Sequence, residues 1–417
     1  MKILWVTSQV LPLVSGELGI KKSGFGGWVM NMLNQLKKED DIELGVAMVS
    51  TAVSKLAIYK VDGIDCFIAP DKGVKEISDE DRDRILKTFC PSLIHIEGNE
   101  FQIHCSFSRV KSAPVLLSLQ GILSGYEPYQ YGELPMPEYM VNLRLHNFIS
   151  AWILYVKKQT LFKTRLKYEN EAIKNVRYIS GRTFWDRAHS YWINPKADYF
   201  ICNRILREAF YKEHWNSEDI EEHSIFVGNG YSPLKGLHFV IDALALLVSE
   251  FPDAKVYVSG DCPIIESNRP TLRKYSYGRI LKNKIKEYGL EQHVIFIGSL
   301  NGDDMIARMK KSNVYVLPSL IENSPNTLGE AMVLGMPCVS AYTGGASEMA
   351  SDNDECLFYR ANDPSLLAWQ IRKVFVNKSM AKAMGEKARK HALITHDPEN
   401  NRNMLISAYK TILERNK

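Results

Sequence analysis

The sequence predicts an α/β protein of two doubly wound, Rossmann-like domains that face each other across a cleft. Strand and helix patterns alternate along most of the 417 residues, which is typical of parallel sheets covered by helices. The polar stretch Lys212–Glu222 interrupts this alternation and is predicted to link two domains. Chains of this length usually divide into more than one domain. We therefore expect domains at 1–215 and 216–398, followed by a C-terminal helix at 399–417.

Short apolar runs predict the strands, and longer segments between them predict the helices. In the first half, strands are expected at Lys2–Val6, Glu43–Val49, Leu93–Ile96, Val115–Leu119, Arg177–Ile179 and Tyr199–Ile201, and helices at Trp28–Lys38, Asp79–Phe89 and Thr183–Ser190. In the second half, strands are expected at Ser224–Val227, Lys255–Ser259, Val294–Ile297, Val314–Leu317 and Cys338–Ser340, and helices at Leu237–Glu250, Gly278–Tyr288, Asp303–Lys311 and Thr327–Leu334.

Composition disfavours several classes of protein. The chain is 45% hydrophobic and 24% charged, and its net charge of +4 gives no global charge that would suit nucleic acid. Its seven cysteines are far apart and form no CxxC pair, which indicates free thiols in a reducing compartment. Met1 leads almost directly into a strand, which predicts no signal peptide, and no apolar run reaches the roughly 18 residues that span a bilayer. We therefore expect a cytoplasmic protein.

Two carboxylates follow the apolar run Val314–Leu317. Glu322 lies in the loop after this strand and Glu330 in the next helix, at the sheet edge where doubly wound domains bind ligands. Ionised carboxylates accept hydrogen bonds from hydroxyl groups, and the N–H groups of a helix start suit a phosphate. The alternative is a capping carboxylate plus a solvated helix glutamate. The small and apolar neighbours of Glu330 favour the functional interpretation.

Lys235 opens a predicted helix after a glycine-rich loop, and its ammonium could reach a diphosphate there; the alternative is a surface lysine. Neither this loop nor the segment Ser23–Trp28 completes a dinucleotide fingerprint, so nicotinamide chemistry is disfavoured, although Ser23–Trp28 could let backbone approach a phosphate. The acidic strings Asp79–Asp81 and Asp352–Asp354 match a helix cap and a polar turn better than a metal site. We therefore expect no metal.

Polar residues also follow the strands of the first half. Gln120 is expected to face the crevice, and His95 is either a crevice group or a satisfied core histidine. Arg182 and Asp186, four residues apart at a helix start, fit either a surface ion pair or an acceptor contact.

The segment 141–168 contains no acidic residue and joins the apolar run Phe148–Val156 to several basic side chains. Such a segment is a candidate for contact with an anionic membrane surface. The alternative is a core helix with a solvated end.

Taken together, these motifs resemble the retaining glycosyltransferases of family 4, which have the GT-B fold. The resemblance covers the second half through Lys235-Gly236, YVSG, VIFIGSL, the block LPSLIENSPNTLGEAMVLGMPCVS, and Gly344-Gly345 with Glu348. The first half is similar through its opening strand, the Gly26-Gly27 loop, IHIEGNEF and LSLQG. The blocks IENSPNTLGEAM and GRTFWDRA are similar to members that build bacterial capsule or exopolysaccharide.

The resemblance implies a role for each motif residue. Glu322 would hold hydroxyls of the transferred sugar, Glu330 the ribose, and Lys235 would neutralise the departing diphosphate. The final helix would pack on the first domain. A UDP- or GDP-linked sugar would bind as substrate, and no cofactor is implied. The other donor-side residues would be Gly26, Gly27, Asn229, Leu300, Ser324, Asn326, Thr327 and Leu328, and the acceptor-side residues Gln120 and Arg182.

The chain departs from the family pattern at two positions. Asn229 stands where the family usually has an arginine, so the diphosphate loses one cation. Gln120 stands where many members have a histidine, and glutamine cannot act as a general base. The front-face mechanism proposed for such retaining enzymes tolerates this change, because in that mechanism the donor phosphate takes the acceptor proton.

The sequence therefore predicts a metal-independent, retaining hexosyltransferase. It would move a sugar from a nucleotide diphosphate to a glycan or lipid-linked acceptor in bacterial surface polysaccharide synthesis, at the cytoplasmic face of the inner membrane. One open alternative is a nucleotide-sugar epimerase or phosphorylase on the same fold. Another is a non-enzymatic, membrane-associated subunit.

Overall fold

The computed structural model describes residues 1–20, 27–134, 145–261 and 272–417. The strands in these ranges are β1 (Lys2–Thr7), β2 (Glu43–Ser50), β3 (Ala57–Val61), β4 (Ile64–Pro70), β5 (Leu93–Glu97), β6 (Val115–Ser118), β7 (Tyr178–Gly181), β8 (Asp198–Ile201), β9 (Glu221–Val227), β10 (Lys255–Ser259), β11 (Val294–Gly298), β12 (Ser312–Leu317), β13 (Cys338–Tyr342) and β14 (Leu357–Arg360).

The helices that cover these strands follow most of them in sequence. They are α1 (Gly27–Leu36), α2 (Asp79–Phe89), α3 (Gln102–Ser108), α4 (Leu123–Tyr126), α5 (Leu145–Asn175), α6 (Phe184–Ile193), α7 (Glu208–Lys212), α8 (Leu237–Leu247), α9 (Leu272–Glu287), α10 (Gly302–Lys310), α11 (Asn326–Leu334), α12 (Pro364–Val376), α13 (Lys378–Thr395) and α14 (Pro398–Glu414).

The chain divides into two compact units at points that differ from the predicted boundaries. Residues 1–124, 161–207 and 396–417 form the N-unit, and residues 125–160 and 208–395 form the C-unit. Residues 125–160, assigned by prediction to the first domain, therefore belong to the C-unit, and α14 belongs to the N-unit.

The predicted linker Lys212–Glu222 was wrong, since this stretch is part of the C-unit. Trp215 is the physical reason. Its side chain is buried there, and its Nε1 donates to the Ser312 carbonyl at 2.8 Å. Because the Trp215 indole is buried and its N–H is hydrogen-bonded, it anchors the polar residues on either side of it to the C-unit.

The N-unit sheet has the order β3-β4-β2-β1-β5-β6-β7-β8, and all its pairs are parallel except β3 with β4. The order reverses at β1, which pairs with β2 on one side and β5 on the other. Ligand crevices of doubly wound sheets lie outside the carboxyl ends of strands at such a reversal. His95 and Glu97, two residues apart on β5, point to the same face of the sheet.

The C-unit sheet has the order β11-β10-β9-β12-β13-β14, and its pairs are parallel. Here the reversal is at β9, which pairs with both β10 and β12. Val227 and Val316 are register partners, so the loops after β9 and β12 leave the sheet side by side. Buried side chains from one face of this sheet pack with helices α8, α9 and α12 into one core.

Helix α2 has the bounds predicted for it, and the cap interpretation of its acidic string is confirmed. Ser78 is the N-cap, and its hydroxyl accepts from the Asp81 N–H at 3.1 Å. Among the described residues, no helix is long and apolar enough to cross a membrane.

Candidate functional site

The loops after β9 and β12 bring Lys235 and Glu322 together. Lys235 ends a short 3-10 turn, Pro233–Lys235, and its Nζ forms an ion pair with Glu322 Oε1. Ser319 Oγ donates to the same carboxylate oxygen at 2.8 Å. The side chains of Lys235 and Glu322 are 28% and 12% exposed, so the pair is shielded but can be reached from solvent. A charged pair at this sheet edge is positioned to meet a polar ligand.

Glycines and a backbone bond hold the two loops in this arrangement. Leu320 N donates to the Leu234 carbonyl at 3.0 Å. Gly236 has φ +70°, and a Cβ there would collide with the Pro318 carbonyl. Gly344 has φ +47°, and a Cβ there would collide with the Glu322 carbonyl. Only glycine adopts these angles readily and leaves the space free, so the backbone around the ion pair depends on both residues.

The first turn of α11 lies beside this pair and contains three predicted donor-side residues, Asn326, Thr327 and Leu328. Tyr315 on β12 donates its hydroxyl to Thr327 Oγ1 at 2.8 Å, which fixes the threonine. Because N–H groups at a helix start carry partial positive charge, this turn favours an anionic group.

Glu330 lies four residues further along α11 and is buried. Burial raises the pKa of the Tyr315 phenol, and the nearby Glu322 and Glu330 carboxylates act in the same direction. Both predicted carboxylates are thus close to one tyrosine at the carboxyl end of β12. These observations favour the functional interpretation of Glu330 over the alternative that it is a solvated glutamate on the helix surface.

The glycine-rich loop after β9 packs against α11. A Cβ on Gly228 would lie 3.5 Å from Thr327 Cγ2, and the Gly228 carbonyl accepts from Ser259 Oγ at 2.8 Å. Asn229 turns its Oδ1 back to the Tyr231 N–H at 3.0 Å, so it caps its own loop. Leu300, after β11, and Ser324, before α11, are both partly buried.

The N-unit has its own cavity of about 40 Å³ at the carboxyl ends of β1, β5, β6 and β7. Glu97 lines this cavity, and its Oε1 accepts from Trp28 Nε1 and from Arg204 Nη2, both at 3.2 Å. The Arg204 guanidinium also stacks on the Trp28 ring, 4.6 Å from its centroid. A buried carboxylate paired in this way is held rigidly.

His95 is a satisfied core histidine whose imidazole also lines the cavity. Its Nδ1 bonds Tyr409 Oη at 2.5 Å and its Nε2 bonds Ser118 Oγ at 2.6 Å, and Ser118 Oγ continues to Ser180 Oγ at 2.5 Å. Burial lowers the pKa of His95 to about 3, so the ring is neutral at physiological pH. His95 is therefore a core histidine with both ring nitrogens bonded, and it also lies in the wall of the cavity.

Gln120 and Arg182, the predicted acceptor-side residues, are adjacent at this cavity. Gln120 Nε2 lies 3.5 Å from Glu97 Oε1, and Arg182 Nη2 donates to the Gln120 carbonyl at 2.8 Å. Of the two interpretations left open for Arg182 and Asp186, the surface ion pair was wrong. Asp186 is fully buried, and its Oδ2 accepts from the Arg182 backbone N–H at 3.1 Å. It therefore holds the backbone at the start of α6, where Thr183 is the N-cap.

Sequence reasoning did not single out Glu97, Trp28 or Arg204. The available signal was the strand IHIE, in which alternation puts Glu97 on the same face as His95 at the carboxyl end. Of the predicted glycines, Gly27 begins α1 and Gly26 lies outside the described residues. Across the described ranges, no three His, Cys, Asp or Glu side chains gather as a metal site would require.

Comparison with known proteins confirms the predicted resemblance for the second half. Residues 208–391 match the sequence model of the family described as glycosyl transferases group 1. The chain is 26% identical to N-acetyl-alpha-D-glucosaminyl L-malate synthase of Bacillus anthracis over 53% of this chain and 54% of that protein. The chain spans about half the length of the curated relatives it matches.

Solved structures resemble the whole chain. Sucrose-phosphate synthase from Thermosynechococcus elongatus gives a TM-score of 0.73 at 14% identity and covers 100% of both chains. HepE of Anabaena, in complex with UDP, gives 0.68 at 16% identity, over 99% of this chain and 100% of that one. These likenesses confirm the GT-B fold, with two parallel-sheet α/β domains.

Proposed function

We propose that this chain, a GT-B protein whose residues 208–391 match the group 1 glycosyl transferases, is a retaining, metal-independent glycosyltransferase. It moves a sugar from a nucleotide diphosphate to a glycan or lipid-linked acceptor in bacterial surface polysaccharide synthesis. The observation that carries this proposal is the Lys235–Glu322 ion pair at the β9–β12 reversal, beside the first turn of α11.

Each part of the C-unit site suits one part of such a donor. The Lys235 ammonium has three donors, so it can keep Glu322 and still meet a phosphate oxygen. Glu322 Oε1 accepts from both Lys235 and Ser319, and Oε2 is available to accept from hydroxyl groups of the transferred sugar. The amides of the first turn of α11 supply further positive charge for the diphosphate. HepE, a structural relative, was solved with UDP and with UDP-glucose, which supports a UDP-linked donor.

Catalysis in this proposal is mainly electrostatic. Negative charge grows on the diphosphate as the glycosidic bond breaks, and Lys235 and the helix-start amides stabilise it. Asn229 is neutral and caps its own loop, so Lys235 carries more of this charge than it would beside an arginine. The acidic strings have structural roles in a helix cap and a turn, which supports transfer without a bound metal.

The test is a transfer assay with nucleotide sugars, in which the anomeric configuration of the product is determined by NMR. We expect the α or β configuration of the donor to be kept and the rate to be unchanged by EDTA. Inversion would contradict the retaining mechanism, and loss of activity with EDTA would contradict metal independence. Release of an epimerised sugar without an acceptor would favour the epimerase alternative.

We also propose that the segment 141–168 contacts an anionic membrane surface. Residues 141–144 lie outside the described residues. Further along α5, Ile153 and Val156 are exposed, as are Lys157 and Lys163. Each lysine near an anionic surface contributes about 1 kcal/mol, enough for reversible binding.

Liposome sedimentation tests the membrane contact. The double variant Lys157→Glu/Lys163→Glu should leave phosphatidylserine vesicles, whereas Lys55→Glu/Lys111→Glu, which alters the net charge equally through exposed lysines elsewhere, should stay bound. Equal binding of the two variants would contradict the contact.

A further inference from the structure

We propose that Glu97 binds a hydroxyl group of the acceptor sugar through its Oε2 atom; this inference rests on the proposed transferase function. Glu97 ends β5 at the strand-order reversal of the N-unit, in the wall of the cavity described above. Its place at the carboxyl end of a central strand is where a doubly wound sheet meets its ligand.

The two oxygens of the Glu97 carboxylate have different surroundings. Oε1 accepts from Trp28 Nε1 and Arg204 Nη2, and Gln120 Nε2 approaches it at 3.5 Å. His95 Nε2 lies 3.9 Å from Oε2, which is too long for a hydrogen bond. His95 is held by Ser118 and Tyr409 instead. Within the described residues, Oε2 is therefore an acceptor that has no donor.

The free oxygen of Glu97 calls for a hydrogen-bond donor rather than an anion. Arg204 is the counter-ion of this carboxylate at 3.2 Å, and His95 is neutral. An ionised carboxylate can only accept hydrogen bonds. The ligand group that meets Oε2 must therefore be a donor, and a sugar hydroxyl is such a donor.

Arg182 gives a second observation that points to an oxygen-rich ligand. Its Nη2 is bonded to backbone carbonyls, but Nε and Nη1 are buried and have no hydrogen-bond partner among the described residues. Arg182 and Glu97 line the same cavity. Buried unpaired donors are costly and usually mark a place for water or a ligand. A sugar edge with neighbouring hydroxyls supplies both a donor for Glu97 and an acceptor for Arg182.

This arrangement gives a physical reason for tolerating Gln120. A glutamine cannot take a proton, but here it lies against Glu97, whose side chain lines the same cavity. The hydrogen-bond acceptor for the sugar hydroxyl is thus supplied by the neighbouring strand. We assign Glu97 to binding and orientation of that hydroxyl, and no proton transfer through it is needed.

The experiment measures sugar binding to the whole chain by saturation-transfer NMR, with UDP or GDP added to fill the nucleotide site. The probes are methyl glycosides of glucose, galactose and mannose and their monodeoxy analogues. The variants are Glu97→Gln and, as a matched control, Glu43→Gln, whose carboxylate pairs with Lys2 at the opposite end of the sheet. The affinity for UDP or GDP reports separately on the C-unit.

We expect at least one glycoside to bind the wild-type chain and the control. Glu97→Gln should lower the affinity for this glycoside about tenfold or more, because a hydrogen bond to a charged group is lost. Its affinity for the nucleotide should be unchanged. In the wild-type chain, removal of one particular hydroxyl should have a similar effect, and this result does not depend on how the variant folds.

Three results would overturn the assignment: equal binding by Glu97→Gln, equal binding of all monodeoxy analogues, or no glycoside bound to the wild-type chain. A wild-type chain that binds glycosides through Glu97 but binds no nucleotide would instead contradict the proposed function.

Discussion

At the scale of single residues, Lys235 and Glu322 act as one unit. The ion pair fixes both side chains before any ligand arrives, and the Ser319 hydroxyl donates a further hydrogen bond to Glu322 Oε1. Pre-organised charge of this kind is effective because little reorganisation is needed when the leaving group becomes negative. Removal of either partner leaves the other unpaired at a shielded site.

We predict that Lys235→Ala lowers the transfer rate about 100–1,000-fold, the usual effect of losing one charge-stabilising donor. Steady-state kinetics would measure it. The matched control is Lys255→Ala, which breaks a lysine–glutamate pair with Glu221 at the amino end of β10 and should keep normal turnover. Equal rates for the two variants would remove Lys235 from the mechanism.

Buried histidines predict how stability depends on pH. Burial lowers the pKa values of His95, His104 and His238 to about 3 in the folded chain. The unfolded chain binds protons to these rings at an ordinary pKa of about 6.5, so it gains protons that the folded chain does not as pH falls. Each histidine therefore destabilises the fold between about pH 6.5 and about pH 3, by about 1.4 kcal/mol per pH unit.

His238→Gln tests this dependence. Between about pH 7.5 and about pH 5.5, the free energy of unfolding measured with urea should fall by about 1.4 kcal/mol more in the wild-type chain than in the variant, because glutamine takes up no proton. Parallel losses in the two proteins would show that His238 is not the neutral, buried group described here.

At the scale of elements, residues 125–134 support the turn that carries Lys235. Gly132 has φ +70° and lies against Pro233, and its carbonyl bonds His238 Nε2 at 3.0 Å. His238 is in turn fixed by Tyr277 Oη at 3.0 Å. This segment thus packs directly behind the 3-10 turn Pro233–Lys235.

We predict that Gly132→Ala destabilises the C-unit and weakens donor binding. A new Cβ would lie 2.7 Å from Pro233 Cβ and 2.8 Å from its carbonyl, so the turn must shift. Gly289→Ala is the matched control: Gly289 has a similar φ of +67°, but no atom of the described residues lies within 4 Å of its Cβ position. Backbone strain should lower the free energy of unfolding of both variants by about 1–2 kcal/mol. Only Gly132→Ala should lower it further and bind the donor less tightly. Equal unfolding free energies and donor affinities would contradict the supporting role.

The elements nearest the C-unit site could be predicted from the sequence. Apolar runs such as Val314–Leu317 identify buried parallel strands, and the glycines after them mark tight turns. Strands β3 and β4 were both missed; in β3, Ala57–Val61 alternates exposed positions at a sheet edge and contains a lysine. Edge strands carry a weaker apolar pattern than central ones.

At the scale of the whole molecule, sequence patterns predicted two parallel sheets but not how the chain divides between them. The polar stretch around Trp215 resembles a linker, yet one buried indole keeps it in the C-unit. The cluster around Glu97 was also missed. It brings together Trp28, Glu97 and Arg204, which are far apart in sequence, and only the strand order places them at one cavity.

The most direct test of the central claim is thermal unfolding of the wild-type chain and of Glu322→Ala with UDP-, GDP- and ADP-linked sugars. At about 100 times its Kd, the true donor should stabilise the wild-type chain by about 2.7 kcal/mol and raise its Tm. Glu322→Ala should show a much smaller shift with the same sugar, because Glu322 holds the sugar hydroxyls. No shift with any nucleotide sugar, or equal shifts in both proteins, would contradict a donor site built on Lys235 and Glu322.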